Sequence, residues 1–277
     1  MPHDIDDRHD AAAVVRSVTV AGFPALVGEP PAGVDPKPPV ALLHGAFADH
    51  EGFAGWVRGL AELGHRTVAA SRRGRLGVGP ARAAKLSFDD YVADTAAVLD
   101  ELAEPAILVG HSLGGLIAQR LAARGRARAL VLLASAPPSM LTARPPALRR
   151  FAPNMPRIMC GHPFIVGNDA CSVLALNKVP EAERPAIHAH LTHESGKVYR
   201  ALMFGIVRVD ARRVRVPVWV GGGDEDRIIS TRLVRSTAKH YGVEPHIYPG
   251  HGHWLLAEPG WDEILADVAA WLSSLPT

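Results

Sequence analysis

Ser112 is the first residue in this chain whose setting suggests chemistry. It stands in Gly110-His111-Ser112-Leu113-Gly114, after the apolar run 106–109 and before the helix-like run 116–123. Strand, tight turn and helix with one serine at the apex form a nucleophile elbow. The turn forces the serine into a strained backbone conformation. Gly110 and Gly114 leave room where a Cβ would crowd it. The hydroxyl then stands clear of the sheet, and the Leu113 N–H points towards the same space. A chance Gly-x-Ser-x-Gly in a loop is the alternative, and the strand and helix patterns on either side argue against it.

A serine hydroxyl is a poor nucleophile at neutral pH. It needs a base to take its proton, and the base needs an orienting group. In parallel sheets such groups collect at the C-terminal ends of strands. Two histidines follow the last strand-like run, in Gly250-His251-Gly252-His253-Trp254. His253 is the expected base, because the apolar Trp254-Leu255-Leu256 after it turns the loop back onto the core. His251, between two glycines, is the more mobile alternative and a rim residue. A metal-binding reading of His-x-His lacks an Asp or Cys at suitable spacing, so no metal is expected.

For the acid, Gly223-Asp224-Glu225-Asp226-Arg227 follows another strand-like run. Asp226, three residues past Gly223, can curl back towards the histidine loop. Asp224 is the alternative, and Glu225 would point the other way. The unused acids are expected on a solvated loop, paired to Arg227. A tetrahedral intermediate would also need two preorganised donors. Leu113 N–H is one. The loop after run 40–43 should supply the other from Ala46, or second from Phe47. His44 is expected to anchor that loop by hydrogen bonding, and His111 to lie behind the nucleophile or in the pocket wall.

The elements that must position these residues alternate. Val14–Val20 and 23–27 form a hairpin around Gly22. Further strands are expected over 40–43, 66–70, 106–109, 129–134, 216–221 and 245–248, with helices over 50–63, 88–102, 113–123, 231–240 and 260–272. Ser87-Phe88-Asp89-Asp90 carries the signature of a capping box. Repeated β-α-β units imply a parallel sheet with helices on both faces. The rhythm breaks over 137–215, which has little strand character and several short amphipathic runs. This segment is expected to be a helical cap over the C-terminal edge of the sheet, with 1–136 and 216–277 forming the core. Four of the five Met (Met140, Met155, Met159 and Met203) lie in it. They pack its helices, roof an adaptable pocket, or do both. Phe151, Phe164, Ile165, Leu174, Leu176 and Phe204 suggest an apolar acyl or aryl group, or the cap's own core. Arg72, Arg73, Arg75 and Arg82 are expected to be solvated, the alternative being contact with an anionic substrate. The glycines of 74–79 lack the order of a phosphate loop.

Bulk composition narrows the partners. The 277 residues carry 30 basic and 28 acidic side chains, a formal charge of +2, with 48% hydrophobic residues. That balance leaves no nucleic-acid footprint. No run approaches the roughly 18–20 apolar residues of a membrane span. The first ten residues include four Asp and no apolar stretch, unlike a secretion signal. Cys160 and Cys171 are expected to be reduced, which fits a cytoplasmic protein.

Taken together, His44-Gly45-Ala46, Gly110-His111-Ser112-Leu113-Gly114-Gly115, Gly223-Asp224-Glu225-Asp226 and Gly252-His253 resemble the α/β-hydrolase superfamily over nearly all of 14–275. The resemblance implies a mostly parallel eight-stranded sheet flanked by helices, with an inserted helical cap. It implies Ser112 as nucleophile, Asp226 as acid, His253 as base, and Ala46 and Leu113 as oxyanion donors. One departure is Ser230, where many relatives carry proline four residues after the acid. The implied activity is cofactor-free hydrolysis of small to medium, largely apolar carboxylic esters through an acyl-enzyme. The same residues would serve a C–C bond hydrolase, a thioesterase or lactonase, a perhydrolase, or a slow-turnover ligand-binding receptor.

Overall fold

The computed structural model of the chain describes residues 12–74, 83, 86–139 and 149–276. Eight strands form one sheet in the order β1-β2-β4-β3-β5-β6-β7-β8. They are β1 (Val14–Val20), β2 (Phe23–Glu29), β3 (Lys37–Leu43), β4 (His65–Ala70), β5 (Ile107–His111), β6 (Ala129–Leu133), β7 (Val218–Gly223) and β8 (Pro245–Tyr248). Strands β1 and β2 are antiparallel, and β3 to β8 pair in parallel.

The continuous apolar runs form the middle of the sheet because both faces are covered. Side chains alternate between two cores, as a period of two requires. Ala41, Leu43, Leu108, Leu130 and Leu132 pack on one face, and Val40, Leu42, Ile107, Val109, Val131 and Leu133 on the other. The core helices are α1 (Ala54–Glu62), α2 (Phe88–Asp100), α3 (Leu113–Ala122), α8 (Thr231–Tyr241) and α9 (Trp261–Ser273). Ser87 caps α2 reciprocally with Asp90, as its spacing implies.

Several boundaries differ from the sequence expectation. The helix expected over 50–63 opens as a 3-10 turn, His50–Phe53, before α1 begins. Strand β7 starts after Pro217 and runs through Gly223, so its three glycines are strand rather than turn. They are needed there: a Cβ on Gly223 would stand 2.2 Å from the His251 carbonyl oxygen.

Between β6 and β7 the chain leaves the sheet for a helical cap. Its short helices are α4 (Met155–Met159), α5 (Asn168–Leu174), α6 (Arg184–Ala189) and α7 (Gly196–Met203). Cap residues Ile158, Phe164, Leu176, Val198 and Leu202 join the same buried cluster as Leu43, Leu113 and Leu132. Cap and core are therefore one packed body on that side. Cys160 is exposed, Cys171 is buried, and both are free. Among the described residues, no helix is long and apolar enough to cross a membrane.

Candidate active site

Strand β5 ends at His111, and α3 begins at Leu113, so Ser112 makes the whole turn alone. Its φ of 52° and ψ of −120° lie where non-glycine residues rarely go. Such a conformation costs on the order of 1–3 kcal/mol and persists only when the surroundings impose it. Here they do. Ser112 N–H donates to the Leu133 carbonyl (3.1 Å), and the Ser112 carbonyl accepts from Ala136 N–H (2.9 Å). The flanking glycines allow the close approach. A Cβ on Gly110 would sit 2.5 Å from Gly115 Cα, and one on Gly114 would sit 2.0 Å from the Leu43 carbonyl oxygen.

Two loops from distant parts of the chain meet this serine. His253 Nε2 lies 3.1 Å from Ser112 Oγ, and His253 Nδ1 lies 2.8 Å from Asp226 Oδ2. A carboxylate only accepts, so Nδ1 carries the proton, and the Nε2 lone pair faces the hydroxyl. Asp226 Oδ1 accepts from the backbone N–H groups of Ile228 (2.7 Å) and Ile229 (2.8 Å). Each oxygen of this carboxylate, only 1% exposed, thus has a fixed task. Asp224 is exposed instead, and its Oδ1 accepts from Gly250 N–H (2.8 Å), which shapes the histidine loop from outside.

The neighbouring residues fall into place differently from their sequence expectations. Glu225 pairs with Lys178 (2.6 Å), and Arg227 donates to the Val173 carbonyl (2.9 Å) of the cap rather than to the spare acids. His251 is not a loose rim residue: its Nδ1 lies 3.4 Å from Glu258, in a largely enclosed place. Its carbonyl accepts from Glu225 N–H (2.9 Å). Arg72 is 3% exposed rather than solvated. It donates to the carbonyls of His44 (2.9 Å) and Gly45 (3.2 Å) and approaches His44 Nδ1 (3.1 Å), so this guanidinium and His44 together tie down the 44–47 loop. Arg73 pairs with buried Asp94. Arg75, Arg82, Met140 and the glycines of 77–79 lie outside the described residues.

His111 lies behind the catalytic candidates, its ring 4.9 Å from that of His253. Its Nε2–H donates to the His253 carbonyl (2.8 Å). Burial, and then the proximity of the His253 charge, push its pKa down to about 3 against a smaller opposing pull from that hydrogen bond. It is therefore a neutral brace for the histidine loop.

Glu258 braces the same loop from the other side. No part of this residue is exposed, and it accepts from the N–H groups of Gly252 (2.7 Å) and Trp254 (2.9 Å), the two neighbours of His253. Burial raises its pKa, and those two amides act against the rise. Nothing in the sequence marks Glu258 beyond an acid placed soon after an apolar run.

The cavity over Ser112 has a volume of about 60 Å³. Ala46, Phe47, Ser112, Leu113 and His253 form its floor, and Phe151, Val166, Leu174 and Tyr199 belong to its cap side. Phe164 backs this wall, with its ring 5.2 Å from those of both Phe47 and Tyr199. No methionine among the described residues lines the cavity: Met155 and Met203 pack into the cap cluster, and Met159 is exposed. Ile165 and Phe204 are also exposed. The roof is thus aromatic and aliphatic, with fewer rotatable bonds than a methionine roof would have. Among the described residues, no group of three or more His, Cys, Asp or Glu side chains is arranged to hold a metal ion.

A mostly parallel eight-stranded sheet, a serine at a strained strand-to-helix turn and a helical cap between β6 and β7 define the α/β-hydrolase class of folds. The alpha/beta hydrolase family model matches residues 40–266, and the chain belongs to that family. A monoacylglycerol lipase of Mycolicibacterium smegmatis is 27% identical over 260 residues, covering 87% of this chain and 89% of that one. The crystal structure of a Paleococcus ferrophilus monoacylglycerol lipase superposes with a TM-score of 0.68 at 22% identity, over 86% of this chain and 96% of that one. A soluble variant of the Saccharomyces cerevisiae monoglyceride lipase, solved with a substrate analog, gives a TM-score of 0.73 at 15% identity over 100% of both chains. At such identities the two structural matches speak for the fold alone.

Proposed function

We propose that this chain is a serine hydrolase that cleaves small, largely apolar carboxylic esters through an acyl-enzyme. The observation that carries this reading is the unbroken line from Asp226 Oδ2 to His253 (2.8 Å) and from His253 Nε2 to Ser112 Oγ (3.1 Å), opening into an apolar cavity. The similarity to the Mycolicibacterium smegmatis lipase favours an ester over the other substrates such a triad can serve. Segment 137–215 acts as the substrate-selecting cap on a core of 1–136 and 216–277.

In this scheme His253 Nε2 takes the Ser112 proton as Oγ bonds to the ester carbonyl carbon. The carbonyl π electrons move to its oxygen, which the N–H groups of Leu113 and Ala46 stabilise. Asp226 stabilises the imidazolium and holds its orientation. Collapse of the intermediate breaks the bond to the alkoxy oxygen, which leaves with the proton from Nε2. Water then repeats the sequence with the same histidine, releasing the acid and restoring Ser112.

The cavity also suggests acyl size. A water needs about 10–15 Å³ of such space, so 60 Å³ holds about four to six small groups. A butanoyl chain fits that space, and a dodecanoyl chain requires the cap to move. The test is turnover of p-nitrophenyl butyrate and dodecanoate by wild type and Ser112→Ala. Expected are multiple turnovers that favour butyrate and a loss of at least about 10⁴-fold in the variant. Stoichiometric binding without turnover would instead indicate a receptor, and full activity in Ser112→Ala would sink the proposal.

A further inference from the structure

The two oxyanion donors named above are held by different means. Leu113 opens α3, and the elbow fixes it. Ala46 lies in a loop without regular structure, and its neighbour Phe47 has a φ of 62°. A bulky residue in that left-handed region costs about 1–2 kcal/mol, so something outside the loop must hold it there. Both polar backbone groups of Phe47 are taken by the cap. Its N–H donates to Glu194 Oε2 (3.3 Å), and its carbonyl accepts from Thr192 N–H (2.8 Å) and Oγ1–H (3.1 Å).

Glu194 is itself tied in three directions. No part of it is exposed. Its Oε1 accepts from the Tyr91 hydroxyl on α2 (2.5 Å) and from Ser195 N–H (2.8 Å). Its backbone pairs with Phe164 in both directions, at 2.8 Å and 3.1 Å. One buried carboxylate therefore links the oxyanion loop, a core helix and the cap. Neither Glu194 nor Thr192 lines the cavity over Ser112. Ordinary packing would not require a carboxylate here, because burying one is costly unless each oxygen finds donors.

We propose that Glu194, assisted by Thr192, is a positioning residue for the oxyanion hole: docking of cap segment 192–195 locks Phe47 in its left-handed conformation and thereby aims the Ala46 N–H. This rests on the serine-hydrolase reading. Glu194 touches no reacting atom, so its loss acts on the transition state through the loop. A misplacement of about 1 Å in a catalytic donor can cost about 10²-fold in rate.

The test measures kcat, KM and trifluoromethyl-ketone affinity with p-nitrophenyl butyrate as substrate, in wild type, Glu194→Gln and Thr192→Val. Gln keeps one acceptor but turns an amide N–H₂ towards a backbone or hydroxyl donor. Expected for Glu194→Gln is a drop in kcat of about 10²-fold, KM within threefold, and a parallel loss of affinity for the ketone, with a smaller loss in Thr192→Val. Glycine adopts positive φ without strain, so in a Phe47→Gly background the Glu194→Gln substitution should cost at least fivefold less. A lowered melting temperature with kcat per folded protein unchanged overturns the clamp, as does an equal Glu194→Gln effect in both backgrounds. If Glu194→Gln does not fold, an unchanged kcat and ketone affinity in Thr192→Val overturns it. Wild-type protein without Ser112-dependent turnover overturns the hydrolase reading, and the clamp with it.

Discussion

In the proposed triad, replacing Asp226 with asparagine changes one heavy atom and should move the His253 ring proton from Nδ1 to Nε2. Asp226 Oδ1 is held by two backbone N–H groups at 2.7 and 2.8 Å. In Asp226→Asn those amides still demand an acceptor, so the asparagine oxygen stays on them and its N–H₂ faces His253. Nδ1 must then accept, which moves the ring proton to Nε2, towards Ser112 Oγ, 3.1 Å away. A base whose proton already points at the nucleophile cannot deprotonate it. The same tautomer inversion in the serine-protease triad costs about 10⁴-fold in kcat, or about 5.4 kcal/mol at 1.36 kcal/mol per decade. The shape is conserved, so the fold should survive. The assay is steady-state hydrolysis of p-nitrophenyl butyrate, with circular dichroism to confirm folding and Asp224→Asn as comparison. Asp224→Asn keeps an oxygen that can accept from Gly250 N–H and should stay within about tenfold of wild type. A larger loss in Asp224→Asn than in Asp226→Asn would refute the assignment. So would an Asp226→Asn enzyme that keeps more than a tenth of wild-type kcat.

The remaining predictions concern chain length and pH. A second cavity of about 430 Å³ lies at the seam of cap and core and shares Leu191 and Trp254 with the cavity over Ser112. Leu191→Ala should open this shared wall and raise the octanoate-to-butyrate ratio of kcat/KM about tenfold; an unchanged ratio would mean the cavities do not communicate there. His111 has a folded pKa of about 3, below its unfolded value of about 6.5. The unfolded state therefore binds the extra proton, and stability is full above pH 6.5 and lost as pH falls towards 3. From pH 8 to pH 4.5 this one group should cost about 3 kcal/mol. Urea unfolding of wild type and His111→Phe should show that difference in slope, and parallel pH curves would remove His111 as the cause.

What could be learned without coordinates was whatever the chain encodes over a few consecutive residues. The elbow at Ser112, the capping box at Ser87 and the buried strands β5 and β6 all rest on local rules: a turn that excludes Cβ atoms, a hydroxyl three residues from an amide, side chains alternating every second residue. Element boundaries were less legible where two local signals competed. Pro38 and Pro39 lie within β3, and the glycines at 221–223 lie in β7, because a neighbouring strand or loop overrides their usual preference.

Tertiary structure decided what stands opposite what. The sequence favoured Asp226 over Asp224 and left both open; in the fold one is exposed and the other lies against His253, because strand β7 ends where the β8 loop crosses it. Arg72, counted among solvated arginines, is buried against the carbonyls of His44 and Gly45. Glu194 carried no signal at all: its partner Phe47 is 147 residues away. Short-range sterics and periodicity act through the backbone and can be read along it. A buried carboxylate is tolerable only because of donors from three separate segments, and only the folded chain brings them together.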